Sequence, residues 1–207
     1  MTEAPPAIDP DDTGFSTAEL EHLLAPTPGP FPALLGVAAD ATLAGRASLL
    51  DRGLAHIADN GSFNLDGFAR QTSRILASAD RWTTFETGPV NAPPAALLVE
   101  SGSGTLLGHP SPLGIWTFIL IDPDAAVDRL VSQTAMSYAD DADVVVTAAT
   151  HAIARTFSVS RRGVDWHFAS GAAGSPTPEL TRDNATSDEA AEHLSEFIGS
   201  WPNPLEN

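Results

Sequence analysis

The chain has no lysine and no cysteine, so all ten of its basic residues are arginine. Without lysine there is no Schiff-base chemistry and no complete Walker-type phosphate loop. Without cysteine, thiol nucleophiles, disulfides, thiolate metal sites and redox pairs are excluded. Positive charge is scarce too, since twenty-seven acidic residues outweigh the arginines and leave a net charge of −17. That excess repels phosphate backbones and anionic headgroups, which makes nucleic acid and membrane surfaces poor partners. No uncharged apolar run approaches a membrane span, and the longest, Ile115 to Ile121, is strand-sized. The acidic start, Met1 to Asp12, lacks the basic and apolar regions of a signal peptide. The expected location is cytoplasmic.

What is present is an ordinary globular composition, 43 % apolar over 207 residues, enough for one good core or two small ones sharing a sheet. The charge is uneven. Residues 1–40 carry seven acids and no arginine, and residues 136–207 carry eleven acids against four arginines. Such a surface provides solubility or steers a basic partner. Exclusive use of arginine, with abundant alanine and proline, fits a GC-rich genome.

The chain reads as an acidic leader over 1–14, a single α+β domain over 15–201 and a tail over 202–207. Ser16-Thr17-Ala18-Glu19 is a capping box, with Phe15 and Leu20 as its hydrophobic staple, and Pro26 to Pro30 ends the helix it starts. A second helix, from about Ala41, presents Leu43, Ala47 and Leu50. It ends at Arg52 with Gly53 and Leu54 forming a Schellman cap, or else continues to Ile57. Asn64 caps a third, stapled by Phe63 and Phe68, with Leu65, Ala69, Thr72, Ile75 and Leu76 on its apolar face. Strands then take over at Trp82–Thr87, in a hairpin of Ala95–Glu100 and Thr105–His109, and in a buried strand, Gly114–Ile121. A helix follows at Asp122-Pro123, with Val127, Leu130, Val131 and Thr134 inward. Residues 143–151 suit strand or helix. A second hairpin joins Arg155–Ser160 to Val164–Ser170, and after a loop Thr186-x-x-Glu189 caps the last helix, with Ala190, Leu194, Phe197 and Ile198 inward.

Chemistry-bearing motifs are few. Gly102-x-Gly104-x-x-x-Gly108 fails as a dinucleotide fingerprint because a strand, not a helix, follows it. Six histidines show no metal-ligand spacing. Asp165-x-His167 places two polar side chains on one face of a strand and is the best local metal or acid–base pair. Asp122, Asp124 and Asp128 suit a helix N-terminus, and Asp140, Asp141 and Asp143 lack the rest of a calcium loop. There is no Gly-x-Ser-x-Gly elbow, so a serine triad would have to be assembled from distant residues. Trp82, Trp116, Trp166 and Trp201 are expected to anchor the core. The motifs assign no catalytic, cofactor-binding or metal-ligating residue.

The order of elements supplies a resemblance. Phe15-Ser16-Thr17-Ala18-Glu19-Leu20 opens a helix, and the Pro-containing Phe31-Pro32-Ala33-Leu34-Leu35 follows. Leu49-Leu50-Asp51-Arg52-Gly53-Leu54 then leads to the amphipathic Leu65–Leu76 and into strands. Over roughly 15–200 this resembles the EspG family of actinobacterial ESX (type VII) secretion-associated proteins. The resemblance implies a twisted antiparallel sheet flanked by helical bundles in a quasi-two-fold arrangement. It further implies a non-enzymatic cytoplasmic chaperone or adaptor that keeps PE–PPE-like secretion substrates soluble, with strands 113–121 and 155–170 as scaffold. An exposed hairpin or the last helix would make the contact. No cofactor, nucleic acid or membrane insertion is expected. Two readings stay open beside it: an enzyme or small-ligand binder centred on Asp165 and His167, and an acidic regulatory or immunity-type module.

Overall fold

The computed structural model describes residues 14–24, 29–37, 42–88, 94–175 and 177–200. The leader, most of the Pro26–Pro30 stop, Trp201 and the tail lie outside them. In chain order the elements are β1 (Gly14–Ser16), α1 (Thr17–Leu24), α2 (Phe31–Leu34), α3 (Thr42–Asp51), β2 (Ala55–Ile57), β3 (Phe63–Leu65) and α4 (Gly67–Ala77). Then come β4 (Ala79–Glu86), β5 (Ala96–Ser101), β6 (Gly104–Pro110), β7 (Ile115–Ile121), α5 (Val127–Ala139), β8 (Val144–Ala149), β9 (Ala154–Arg162), β10 (Asp165–Ala172), β11 (Leu180–Ala185) and α6 (Ser187–Gly199). Among the described residues nine strands form one large antiparallel sheet, in the order β1-β7-β6-β5-β4-β8-β9-β10-β11, and β2–β3 is a separate hairpin. The fold is α+β. It divides into two compact units, Met1–Ser78 with Gly108–Ile119, and Ala79–Leu107 with Leu120–Asn207.

In the first unit α1 starts as its sequence dictates. Glu19 N–H donates to Ser16 Oγ at 3.3 Å and Ser16 N–H donates to Glu19 Oε2 at 2.8 Å, while Phe15 and Leu20 are fully buried. The α3 cap is also the expected Schellman turn. Gly53 has φ +69°, Leu54 N–H reaches Leu49 O at 2.8 Å and Gly53 N–H reaches Leu50 O at 3.1 Å.

The apolar face expected for α3 is corrected, because Leu43 is 84 % exposed while Gly45 and Leu49 are buried. A Cβ on Gly45 would stand 1.9 Å from Ala18 O. The bare glycine is what lets α3 approach α1 so closely, and that contact fixes which face turns inward. The third helix also starts later than expected. Phe63–Leu65 pairs with Ala55–Ile57 as a short hairpin, so Asp66, not Asn64, is the N-cap of α4, and the alternative of a helix reaching Ile57 fails. Its buried residues are otherwise those expected: Phe68, Ala69, Thr72, Ile75 and Leu76, with Ser73 added. Ser73 Oγ donates to Leu23 O at 2.7 Å and ties α4 to α1. Phe15 stacks on Phe68 with ring centroids 6.1 Å apart, and Trp116 Nε1–H donates to Leu35 O at 3.2 Å.

In the second unit α5 and α6 cover one face of the sheet, where Phe85, Leu98, Val146, Phe157, Trp166 and Phe168 meet them. Ser132 Oγ donates to Ala191 O and Ser195 Oγ to Asp128 Oδ2, which ties the two helices together. α6 begins with its capping box complete and buries Ala190, Leu194, Phe197 and Ile198. α5, by contrast, does not start at Asp122-Pro123. Asp122 closes a turn by accepting Asp124 N–H at 2.8 Å, and the helix begins at Val127. Within residues 143–151 the strand Val144–Ala149 forms and no helix, and β11 occupies part of the stretch expected to be loop.

Candidate functional site

Two surfaces stand out, one in each unit. In the second unit, the core residues Val144, Val159 and Phe168 face α5 and α6. Side chains alternate along a strand, so Val145, Ser158, Ser160 and His167 project from the opposite face. There a groove of about 310 Å³ is lined by Asp143, Val145, Ser158, Ser160, His167 and Asp183, with Arg182 at its side.

The pairing of β10 with β11 is interrupted inside this groove. Trp166 lies opposite Ala185 and Phe168 opposite Arg182, so His167 faces both Asp183 and Asn184. This is a β-bulge, and its extra residue, Asn184, sits at φ +57°. The bulge leaves Asp183 on the same face as His167, and the two bond, with Nδ1 of His167 2.8 Å from Oδ1 of Asp183. An ionised carboxylate only accepts hydrogen bonds, so the contact requires the proton on Nδ1 and leaves Nε2 as the acceptor in the neutral ring. On the other side, the β9–β10 register sets Ser160 directly opposite His167. A serine, an imidazole and a carboxylate thus lie in a row across three adjacent strands.

Asp165, read from the sequence as the partner of His167, shares its face of β10 but lies opposite Arg162 and does not line the groove. His56 is paired with Asp66, His193 with Glu196, and His151 with the carbonyl of Ala79. Asp140 is held by Arg161 at 2.7 Å. Among the described residues no three His, Asp or Glu side chains converge as a metal ion would need. Trp82, Trp116 and Trp166 are buried, as core anchors should be.

In the first unit the notable surface is apolar. The strand expected to be buried throughout, β7, alternates instead: Trp116 and Phe118 are buried, while Ile115 is 39 % and Ile119 50 % exposed. Leu113, in the turn before it, is 86 % exposed. A Cβ on Gly108 would meet the Phe118 ring at 2.7 Å, so the inner face of this strand is closely packed while the outer face carries uncovered aliphatics. Beta-branched residues suit a strand whichever way they point, so composition alone does not reveal the uncovered face.

No protein-family model matches the sequence, and no curated protein matches it. Among the described residues no helix is long and apolar enough to cross a membrane.

Proposed function

We propose that the protein acts by binding, as a cytoplasmic EspG-like chaperone or adaptor that holds a secretion substrate of the PE–PPE type soluble before export. The observation that carries this reading is the row of exposed aliphatic side chains at Leu113, Ile115 and Ile119. Aliphatics gathered on one strand face, unlike the single exposed residues Leu43 and Val164, offer a surface on which another chain can dock. A charge of −17 keeps such a body soluble while that surface is free.

The element order supports the quasi-two-fold arrangement that the resemblance implies. Helix α4 leads into the meander β4–β7, α5 leads into the meander β8–β11, and β4 and β8 are neighbours at the middle of the strand order.

The test is co-purification of the tagged protein from its native cytosol, beside a variant carrying Leu113→Asp and Ile119→Asp. The expected result is one helical, exported protein recovered in stoichiometric amount with the wild type, insoluble when produced alone, and lost with the variant. Recovery of the same proteins with both chains, or of none, sinks the proposal.

A further inference from the structure

The row Ser160–His167–Asp183 belongs to the other unit and has no part in the binding role just proposed. From it we propose that the groove over β8–β11 is an acyl-transfer site, with Ser160 as nucleophile, His167 as base and Asp183 as its positioning residue.

Three observations carry this. The first is the tautomer. Asp183 holds the proton of His167 on Nδ1, which leaves Nε2 the lone pair that a general base requires. The second is the device that puts Asp183 there. The edge-strand bulge at Asn184 is what sets Asp183 on the face of His167, and such bulges re-aim side chains beside reactive sites. The third is the position of Ser160. Cross-strand neighbours have Cβ atoms about 5 Å apart, and a serine hydroxyl turns among three staggered wells. That puts Oγ within reach of the imidazole, although its rotamer here makes no hydrogen bond to His167. Catalytic hydrogen bonds are often long without substrate and tighten when it binds.

The step balances within the groove. Ser160 Oγ attacks the carbonyl carbon of an ester as its proton passes to His167 Nε2. The tetrahedral intermediate collapses, the bond to the alcohol oxygen breaks, and Nε2 returns the proton to the leaving alkoxide. Water, deprotonated by the same nitrogen, then attacks the acyl-serine, and Ser160 recovers its hydroxyl as the carboxylic acid leaves. A volume of about 310 Å³ is at the small end for ligand pockets, which limits the acyl group to a short chain. Asp143 and Asp183 among the lining residues favour a neutral or cationic ester over an anionic one.

The test uses the full chain with a fluorophosphonate probe, mass-spectrometric mapping of the modified residue, and hydrolysis of p-nitrophenyl acetate. The expected result is time-dependent labelling at Ser160, absent in Ser160→Ala and His167→Gln. Asp183→Asn should lower kcat at least tenfold while leaving KM nearly unchanged, the split expected of a residue that positions the base. Circular dichroism establishes that each variant is folded, and the mapped site in the wild-type chain stands even where a variant is not. Labelling of Ser160 no faster than in heat-denatured protein overturns the proposal. So does labelling that persists unchanged in a folded His167→Gln chain.

Discussion

The two capping boxes of this protein have the same chemistry and very different surroundings. At the start of α6, Thr186 and Glu189 exchange hydrogen bonds in solvent, with Thr186 N–H donating to Glu189 Oε2 at 2.7 Å and Glu189 N–H donating to Thr186 Oγ1 at 3.2 Å. At the start of α1, Ser16 and Glu19 make the same exchange, but Glu19 is buried and its second oxygen reaches across to α3. There Oε1 accepts from Ser48 Oγ and from Arg52 Nη1, both at 2.8 Å. One box ends a helix neatly. The other has become the polar centre of a helix–helix contact, and losing it exposes partners as well as a helix end.

The sharpest way to break the α1 arrangement is to leave Glu19 alone and separate the helices that meet around it. Gly45→Ala places a methyl 1.9 Å from the backbone carbonyl of Ala18, which no rotamer can relieve. Overpacking usually costs 1–3 kcal/mol, and a clash with backbone belongs at or above the top of that range, so we expect a loss of about 3 kcal/mol or more. Urea denaturation measures it directly. A loss under about 1 kcal/mol would mean that α1 and α3 are not packed this closely.

The two glutamates provide the next test. Glu19→Ala removes the buried carboxylate that Ser48 and Arg52 both reach, and we expect about 2–4 kcal/mol of destabilisation. Glu189→Ala removes only an exposed cap contact, and its loss should be clearly smaller than that of Glu19→Ala. Equal losses in the two variants, measured under the same denaturant conditions, would show that the environment of Glu19 contributes nothing beyond the cap.

The same contrast explains how much of the molecule was legible in its residues. Features written in local chemistry were readable: both capping boxes, the Gly53 Schellman turn, the hairpins around Gly102–Gly104 and Gly163, and the inward face of α6. Features set by distant partners were not. Nothing local says that Gly45, and not Leu43, turns α3 inward, because the reason is the backbone of α1. The three-residue strands β2 and β3 are too short to show alternation, so Asn64 read as a cap. β11, with the sequence Leu180-Thr181-Arg182-Asp183-Asn184-Ala185, has the polar composition of a loop and becomes a strand by pairing with β10. Without β11, Asp165 is the carboxylate that the sequence sets nearest His167, and Asp183 comes beside it only through the pairing with β10. The signal available was Asp183-Asn184, a pair suited to a left-handed residue after a strand. The exposed strip on β7 was hidden for a related reason, since the seven-residue apolar run hides its alternation until one face is seen to be uncovered.

The smallest expected effect is on pH dependence, and it separates the boxes by their surroundings once more. Burial raises the Glu19 carboxyl, but the Ser16 N–H, the Ser48 hydroxyl and the Arg52 guanidinium outweigh it and hold the group below its ordinary value of 4.5. Its folded value therefore lies below its unfolded one. The stability this provides is fully present above about pH 4.5 and is lost as pH falls through the lowered folded value. Glu189 is also lowered, chiefly by the Thr186 N–H, but it is fully exposed, where salt and solvent weaken such contacts. Below about pH 4.5 the wild-type unfolding midpoint should therefore fall more steeply than that of Glu19→Gln, whose neutral amide has no proton to take up. Glu189→Gln should follow the wild-type curve closely. If Glu19→Gln keeps the full acid slope, or Glu189→Gln loses as much of it, burial against Arg52 and Ser48 is not what distinguishes the two boxes.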